Sequence, residues 1–137
     1  MIKGIGVDSV KCSRMRKVLE GPASSSFLAR TFTDAERAAK RGAPGSEAEI
    51  TYFAAQFAEK EAVFKAVAQH LPEKTFDLRI VETLRREDGS PYVNRTDVLA
   101  KVLDRAGIGR VFISITTEND TATAFVVAED AGAVDLF

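Results

Sequence analysis

The run Gln56-Phe57-Ala58-Glu59-Lys60-Glu61-Ala62-Val63-Phe64-Lys65-Ala66 decides how this chain is read. Its residues suit the middle of a long amphipathic helix. An apolar stripe passes through Ile50, Phe53, Ala54, Phe57, Phe64 and Ala68. At about 100° per residue, Glu61 falls within roughly 20° of the centre of that stripe. The spacing therefore predicts a carboxylate that faces the interior. An unpaired buried carboxylate is costly, so Glu61 needs a cation, a proton or a metal beside it. Lys65, one turn later on the same side, is one partner. A Glu61–Lys65 ion pair and a functional site both answer the need.

Upstream, Ser46-Glu47-Ala48-Glu49 is a capping box that opens this helix, and Pro72 stops it near His70-Leu71. Thr33-Asp34-Ala35-Glu36 is another capping box, predicting a helix to about Arg41 before Gly42-Ala43-Pro44-Gly45. At the start of the chain, residues 2–10 read as a strand. Ile5 and Val7 point one way, and Gly4, Gly6 and Asp8 the other. Two glycines on one face let another backbone come close, and Asp8 ends that face. Residues 11–20 suit a helix stopped by Gly21-Pro22. It carries Lys11, Arg14, Arg16 and Lys17, the one locally basic element of the chain. Residues 23–26 read as a loop, with a short helical turn from Phe27.

Downstream, residues 76–84 alternate as a strand. Glu87-Asp88-Gly89-Ser90 is a turn and Pro91-Tyr92-Val93 the return strand. Thr96 caps a helix that Gly107 ends. Residues 110–117 and 121–129 form a second hairpin around Glu118-Asn119-Asp120. Residues 130–137 read as a flexible or docking tail. The order predicts an α+β fold over 1–137, with a mostly antiparallel sheet packed on one long central helix.

Composition narrows the function. The chain has 137 residues and a net charge of −1, which gives no global field for nucleic acid or membrane. No apolar run reaches the length of a membrane span. One cysteine, Cys12, and one histidine, His70, exclude an internal disulfide, a thiolate-rich zinc site and a histidine-rich metal site. No glycine-rich phosphate loop is present, and the lone histidine argues against a serine triad. The expected location is cytoplasmic. Carboxylate chemistry remains. Asp8 and Glu61 suit a hard divalent ion such as magnesium, which takes its remaining ligands from water and substrate phosphates. Lys60 and Lys65 suit phosphate oxygens.

Several of these motifs are similar to those of one family. Gly4-Ile5-Gly6-Val7-Asp8, Phe32-Thr33 followed by Glu36, and the run Phe57 to Ala66 resemble the holo-acyl-carrier-protein synthases. These are small 4'-phosphopantetheinyl transferases. Gly89 with Pro91, and Ser114-Ile115-Thr116 before a final Ala-Phe-Val-Val strand, extend the likeness over nearly the whole chain. The resemblance implies transfer of the 4'-phosphopantetheine arm of coenzyme A to a serine of an apo acyl carrier protein, releasing adenosine 3',5'-bisphosphate. It implies magnesium held by Asp8 and Glu61, with Asp8, Glu61 and Lys65 catalytic. It places Lys65, Gln56, Thr116 and Thr117 toward the coenzyme, with Lys60 either assisting there or forming a structural pair. Arg14, Arg16 and Lys17 would dock the acidic carrier protein, and a homotrimer would carry its sites at subunit interfaces. Three positions depart from the pattern: Thr117 replaces a usual histidine, Gln56 a usual arginine and Glu59 a usual small residue. The departures leave a second reading, a catalytically impaired module that binds coenzyme A or a carrier protein.

Overall fold

Gly4 and Gly6 set how the layers meet. A Cβ added at Gly6 would lie 1.9 Å from the carbonyl oxygen of Ala62, and one at Gly4 would lie 2.4 Å from that of Ala66. The helix backbone therefore rests directly on the first strand, as the glycine pattern predicts. A computed structural model describes residues 1–132 of the chain. Its elements are β1 (Ile2–Lys11), α1 (Cys12–Glu20), α2 (Ser24–Thr31), α3 (Asp34–Ala38), α4 (Glu47–Ala68), β2 (Glu82–Arg85), β3 (Pro91–Asn94), α5 (Asp97–Ala106), β4 (Ile108–Glu118) and β5 (Thr121–Asp130). A 3₁₀ turn, Leu78–Ile80, precedes β2.

Three antiparallel strands in the order β1-β5-β4 form the main sheet, and β2 and β3 form a separate hairpin. On the helix side of β5 the residues Ala122, Ala124, Val126 and Ala128 are all buried. Small side chains on the strands and Ala62 and Ala66 on α4 keep sheet and helix close. The core is completed by Val63, Val67, Leu71, Leu99, Leu103 and Ile108.

Local signals place the ends of these elements. Thr33 and Glu36 exchange their two bonds at the start of α3, completing the expected capping box. The second box is half formed: the Ser46 side chain accepts from the Glu49 N–H, but the Glu49 carboxylate accepts from the Gly45 N–H and Lys40. Gly107 ends α5 at φ 73°, in the left-handed region. Asn119 and Asp120, at φ 50° and 63°, turn the β4–β5 hairpin. That tip also meets α1: the Cys12 and Ser13 N–H groups donate to the Asp120 backbone and side chain. The start of α1 is thus pinned beside the end of β1.

Four expectations need correction. Residues 23–26 enter α2, which begins at Ser24, one residue into the expected loop. The strand expected over residues 76–84 forms only from Glu82: the Asp77 side chain caps the Arg79 N–H and starts the 3₁₀ turn Leu78–Ile80, and only Glu82–Arg85 pairs with β3. Helix α3 stops at Ala38. The tail at residues 133–137 lies outside the described residues. The fourth correction concerns α4 itself. It is buried on nearly all sides, including at Gln56, Glu59 and Lys60. Glu61, Phe57 and Phe64 are only half-buried. The apolar stripe therefore does not mark the centre of the interior, and Glu61 faces a cleft.

Candidate active site

Alternation along β1 puts Asp8 on the side facing α4, in register with buried Ala124 of β5. The Lys65 ammonium donates to Asp8 Oδ1 at 2.9 Å and to the Val7 carbonyl at 3.0 Å. The partner of Lys65 is thus Asp8, where the helix spacing alone offered Glu61. Glu61 lies one turn before Lys65 on α4. Burial raises its pKa first, and the Asp8 charge raises it further, against an opposing effect of Lys65. Two carboxylates that feel each other and share one lysine make a local excess of negative charge.

Asp8 and Glu61 open onto a cavity of about 210 Å³. Met15, Val18, Phe27 and Phe57 supply apolar walls and Arg14 of α1 supplies a cation. Of the other basic residues on α1, Lys17 is exposed, while Arg16 is engaged by Glu47 at the start of α4. A metal's fit can be judged from these donors. No group of three or more His, Cys, Asp or Glu side chains gathers among the described residues. Two carboxylates at the edge of an open cavity suit magnesium, which commonly keeps waters and takes substrate phosphate oxygens. Asp8 and Glu61 fit that role.

The remaining expected residues lie elsewhere. Lys60 is fully buried and donates to Glu36 Oε1 at 2.7 Å and to the Val81 carbonyl. Burial pushes its pKa down, and the Glu36 charge opposes this. Its charge is consumed inside the protein, so it is a structural ion pair and no phosphate contact. Gln56 is also buried, with its amide donating to the Thr83 carbonyl and accepting from the Thr83 hydroxyl, each at 3.0 Å. It has no reach to the cavity. Thr116 and Thr117 are exposed on β4. The register runs from Val10 through Ala122 to Thr117, so β5 separates them from β1 by two strand spacings, about 10 Å. One chain does not bring them to Asp8.

Glu59, the third departure, is buried against Arg85 of β2 at 3.0 Å. Burial pushes its pKa up to about 7, with Arg85 opposing and Glu36 adding to the rise. Phe27 and Phe57 as cavity walls, and Glu36 as the partner of Lys60, were not read from the sequence. The four-residue spacing of Phe57 and Glu61 was the available signal for the first wall of the cavity.

The chain and its fold match known proteins. The model of the 4'-phosphopantetheinyl transferase superfamily matches residues 4–126. The holo-[acyl-carrier-protein] synthase of Myxococcus xanthus (strain DK1622) is 35% identical over 133 residues, covering 96% of this chain and 98% of that protein. The enzyme of that name from Desulforudis audaxviator is 39% identical over 128 residues, covering 93% of each. Among solved structures, the Neisseria meningitidis holo-[acyl-carrier-protein] synthase superposes with a TM-score of 0.78 at 32% identity, covering 95% of this chain and all of that one. The Bacillus anthracis holo-(acyl-carrier-protein) synthase, solved in complex with CoA (3',5'-ADP), gives 0.71 at 28% identity, covering 95% and 98%.

Proposed function

Because the chain belongs to the 4'-phosphopantetheinyl transferase superfamily, and relatives matching nearly its whole length are holo-[acyl-carrier-protein] synthases, we propose that it transfers the 4'-phosphopantetheine arm of coenzyme A to a serine of an apo acyl carrier protein. The observation that carries the reading is the meeting of Asp8 and Glu61 at one apolar-walled cavity, with Lys65 paired to Asp8. The serine oxygen attacks the phosphorus that bears the pantetheine arm. The bond from that phosphorus to the bridging oxygen breaks, and adenosine 3',5'-bisphosphate leaves. Asp8 and Glu61 would hold magnesium, which when bound supplies positive charge to the pyrophosphate. Lys65 exchanges Asp8 for a phosphate oxygen and neutralises it as a point charge. The serine proton passes to Glu61 or to a water in the cavity. Arg14, at the cavity mouth, steers the acidic carrier protein, with Lys17 exposed on the same helix and Arg16 adding charge beside Glu47.

The working form is a homotrimer with sites at subunit interfaces. Two features support this. Thr116 and Thr117 lie too far across the sheet to serve Asp8 of their own chain, but a neighbouring chain can present them. The sheet face away from α4 also exposes Ile5, Val7, Phe112 and Phe125, between 40% and 58% accessible. A cytoplasmic location fits coenzyme A as co-substrate. Among the described residues no helix is long and apolar enough to cross a membrane. The test is intact-mass analysis of apo carrier proteins incubated with coenzyme A, magnesium and this protein. Gain of the phosphopantetheine arm is expected, and Glu61→Gln should abolish it in a folded protein. Coenzyme binding without transfer to any of several carriers would favour a binding module instead.

A further inference from the structure

Two diagonal rows run along α4. Phe57, Glu61 and Lys65 recur every fourth residue and include the two charged groups of the candidate site. Tyr52, Gln56 and Lys60 recur at the same spacing, about 100° away round the helix. All three of the second row are buried, although each carries a polar end. Every one of those ends has a fixed partner. The Tyr52 hydroxyl donates to the Glu36 carbonyl at 2.6 Å. Gln56 grips both the carbonyl and the hydroxyl of Thr83. Lys60 donates to the Glu36 carboxylate and to the Val81 carbonyl. Glu36 is itself held by the Thr33 and Thr83 N–H groups, each at 2.9 Å.

Burial of apolar surface has no direction, so an apolar row sets rotation only through the shape of its packing. Hydrogen bonds are steep in angle and distance. A buried ion pair is also weak evidence for stability, since apolar replacements are often neutral or better. The row therefore buys orientation more than it adds stability. We propose that the Tyr52–Gln56–Lys60 row is a positioning device: locked to Glu36 and Thr83, it fixes the rotation and axial setting of α4 and so aims Glu61 and Lys65 at Asp8. The proposal rests on the transferase reading of that site. None of the three residues touches reacting atoms. Their leverage is geometric. A carboxylate carried about 5–6 Å from the helix axis moves about 1 Å for each 10° of rotation. That is the scale on which binding constellations lose function.

The test uses the full chain with Glu36→Gln and Lys60→Met together, which removes both buried charges at once. Gln56→Leu with Thr83→Val, on the other tie of the row, is the second variant should the first fail to fold. Thermal unfolding, Mn²⁺ affinity by electron paramagnetic resonance with coenzyme A present, and steady-state kinetics are measured. The expected result is a folded protein with Mn²⁺ binding weakened about tenfold and kcat lowered about 100-fold, while KM for coenzyme A stays within about threefold. A folded variant with wild-type Mn²⁺ affinity and kcat overturns the proposal. So does failure of both variants to fold, because the row would then be a folding element. A wild-type protein that neither binds Mn²⁺ with the coenzyme nor transfers the arm overturns the transferase reading itself, and the positioning role with it.

Discussion

Gly6→Ala is a one-carbon change that should disable the enzyme from the far side of its helix. The new Cβ would sit 1.9 Å from the Ala62 carbonyl oxygen and 2.9 Å from the Ala62 carbonyl carbon. Real Cβ contacts stay above 3.0 Å, so sheet and helix must part by about 1.1 Å. No flexible side-chain end is there to yield, because the obstacle is helix backbone. Overpacking of this kind costs about 1–3 kcal/mol. For a chain of this length that corresponds to a fall in Tm of roughly 3–12 °C. The functional effect should be larger in proportion. Glu61 is bonded directly to Ala62, so the same displacement carries it away from Asp8, and a misplacement near 1 Å can cost about 100-fold in rate. The assay pairs differential scanning calorimetry with the rate of carrier-protein modification. A variant with wild-type Tm and wild-type rate would refute the claim that close helix–strand contact at Gly6 sets the Asp8–Glu61 approach.

Three further outcomes follow from the same geometry. Asp8→Asn should leave stability within about 1 kcal/mol, because the Lys65–Asp8 pair is half open to solvent on the lysine side and Lys65 keeps the Val7 carbonyl. Its turnover should nonetheless fall at least about 100-fold, as measured by carrier modification. Glu59 holds its proton more tightly folded, at a pKa of about 7 against 4.5 unfolded. Its contribution to stability is therefore complete below 4.5 and is lost as pH rises through about 7, by about 3 kcal/mol. Denaturant unfolding of the wild type should show that decline between about pH 5 and 8, and Glu59→Gln should flatten it. Arg14→Glu should raise KM for the carrier protein about tenfold and weaken its salt dependence while kcat stays within about twofold; a kcat effect alone would contradict a docking role.

Much of the architecture was legible because it is written in local signals. The capping box at Thr33, the N-cap at Ser46, Gly107 at the end of α5 and the Asn119-Asp120 turn all act within a few residues of themselves. The glycine face of β1 was readable for the same reason, since its only meaning is close approach. The burial of α4 was harder. The spacing picked out one apolar stripe, whereas Tyr52, Gln56, Glu59 and Lys60 are also buried, with partners from α3 and β2. Those partners come from 16 to 27 residues away in sequence, so no local window contains the pairing. The same limit explains Lys60 and Gln56 as expected coenzyme contacts. Lys60 suits phosphate by residue type and Gln56 entered through the family resemblance, but only the fold shows that Glu36, Val81 and Thr83 already occupy them. Lys65 was correctly placed beside the carboxylates, yet its partner Asp8 lies 57 residues away, beyond any helix rule.

The central claim is that one divalent ion and the coenzyme pyrophosphate meet at Asp8 and Glu61. Crystals grown with coenzyme A and Mn²⁺, measured for anomalous scattering at the manganese edge, test it most directly. The account predicts one strong peak between the Asp8 and Glu61 carboxylates, with the pyrophosphate against it and Lys65 turned from Asp8 onto a phosphate oxygen. Ordered coenzyme with its pyrophosphate on another face, and no manganese at these carboxylates, would contradict it.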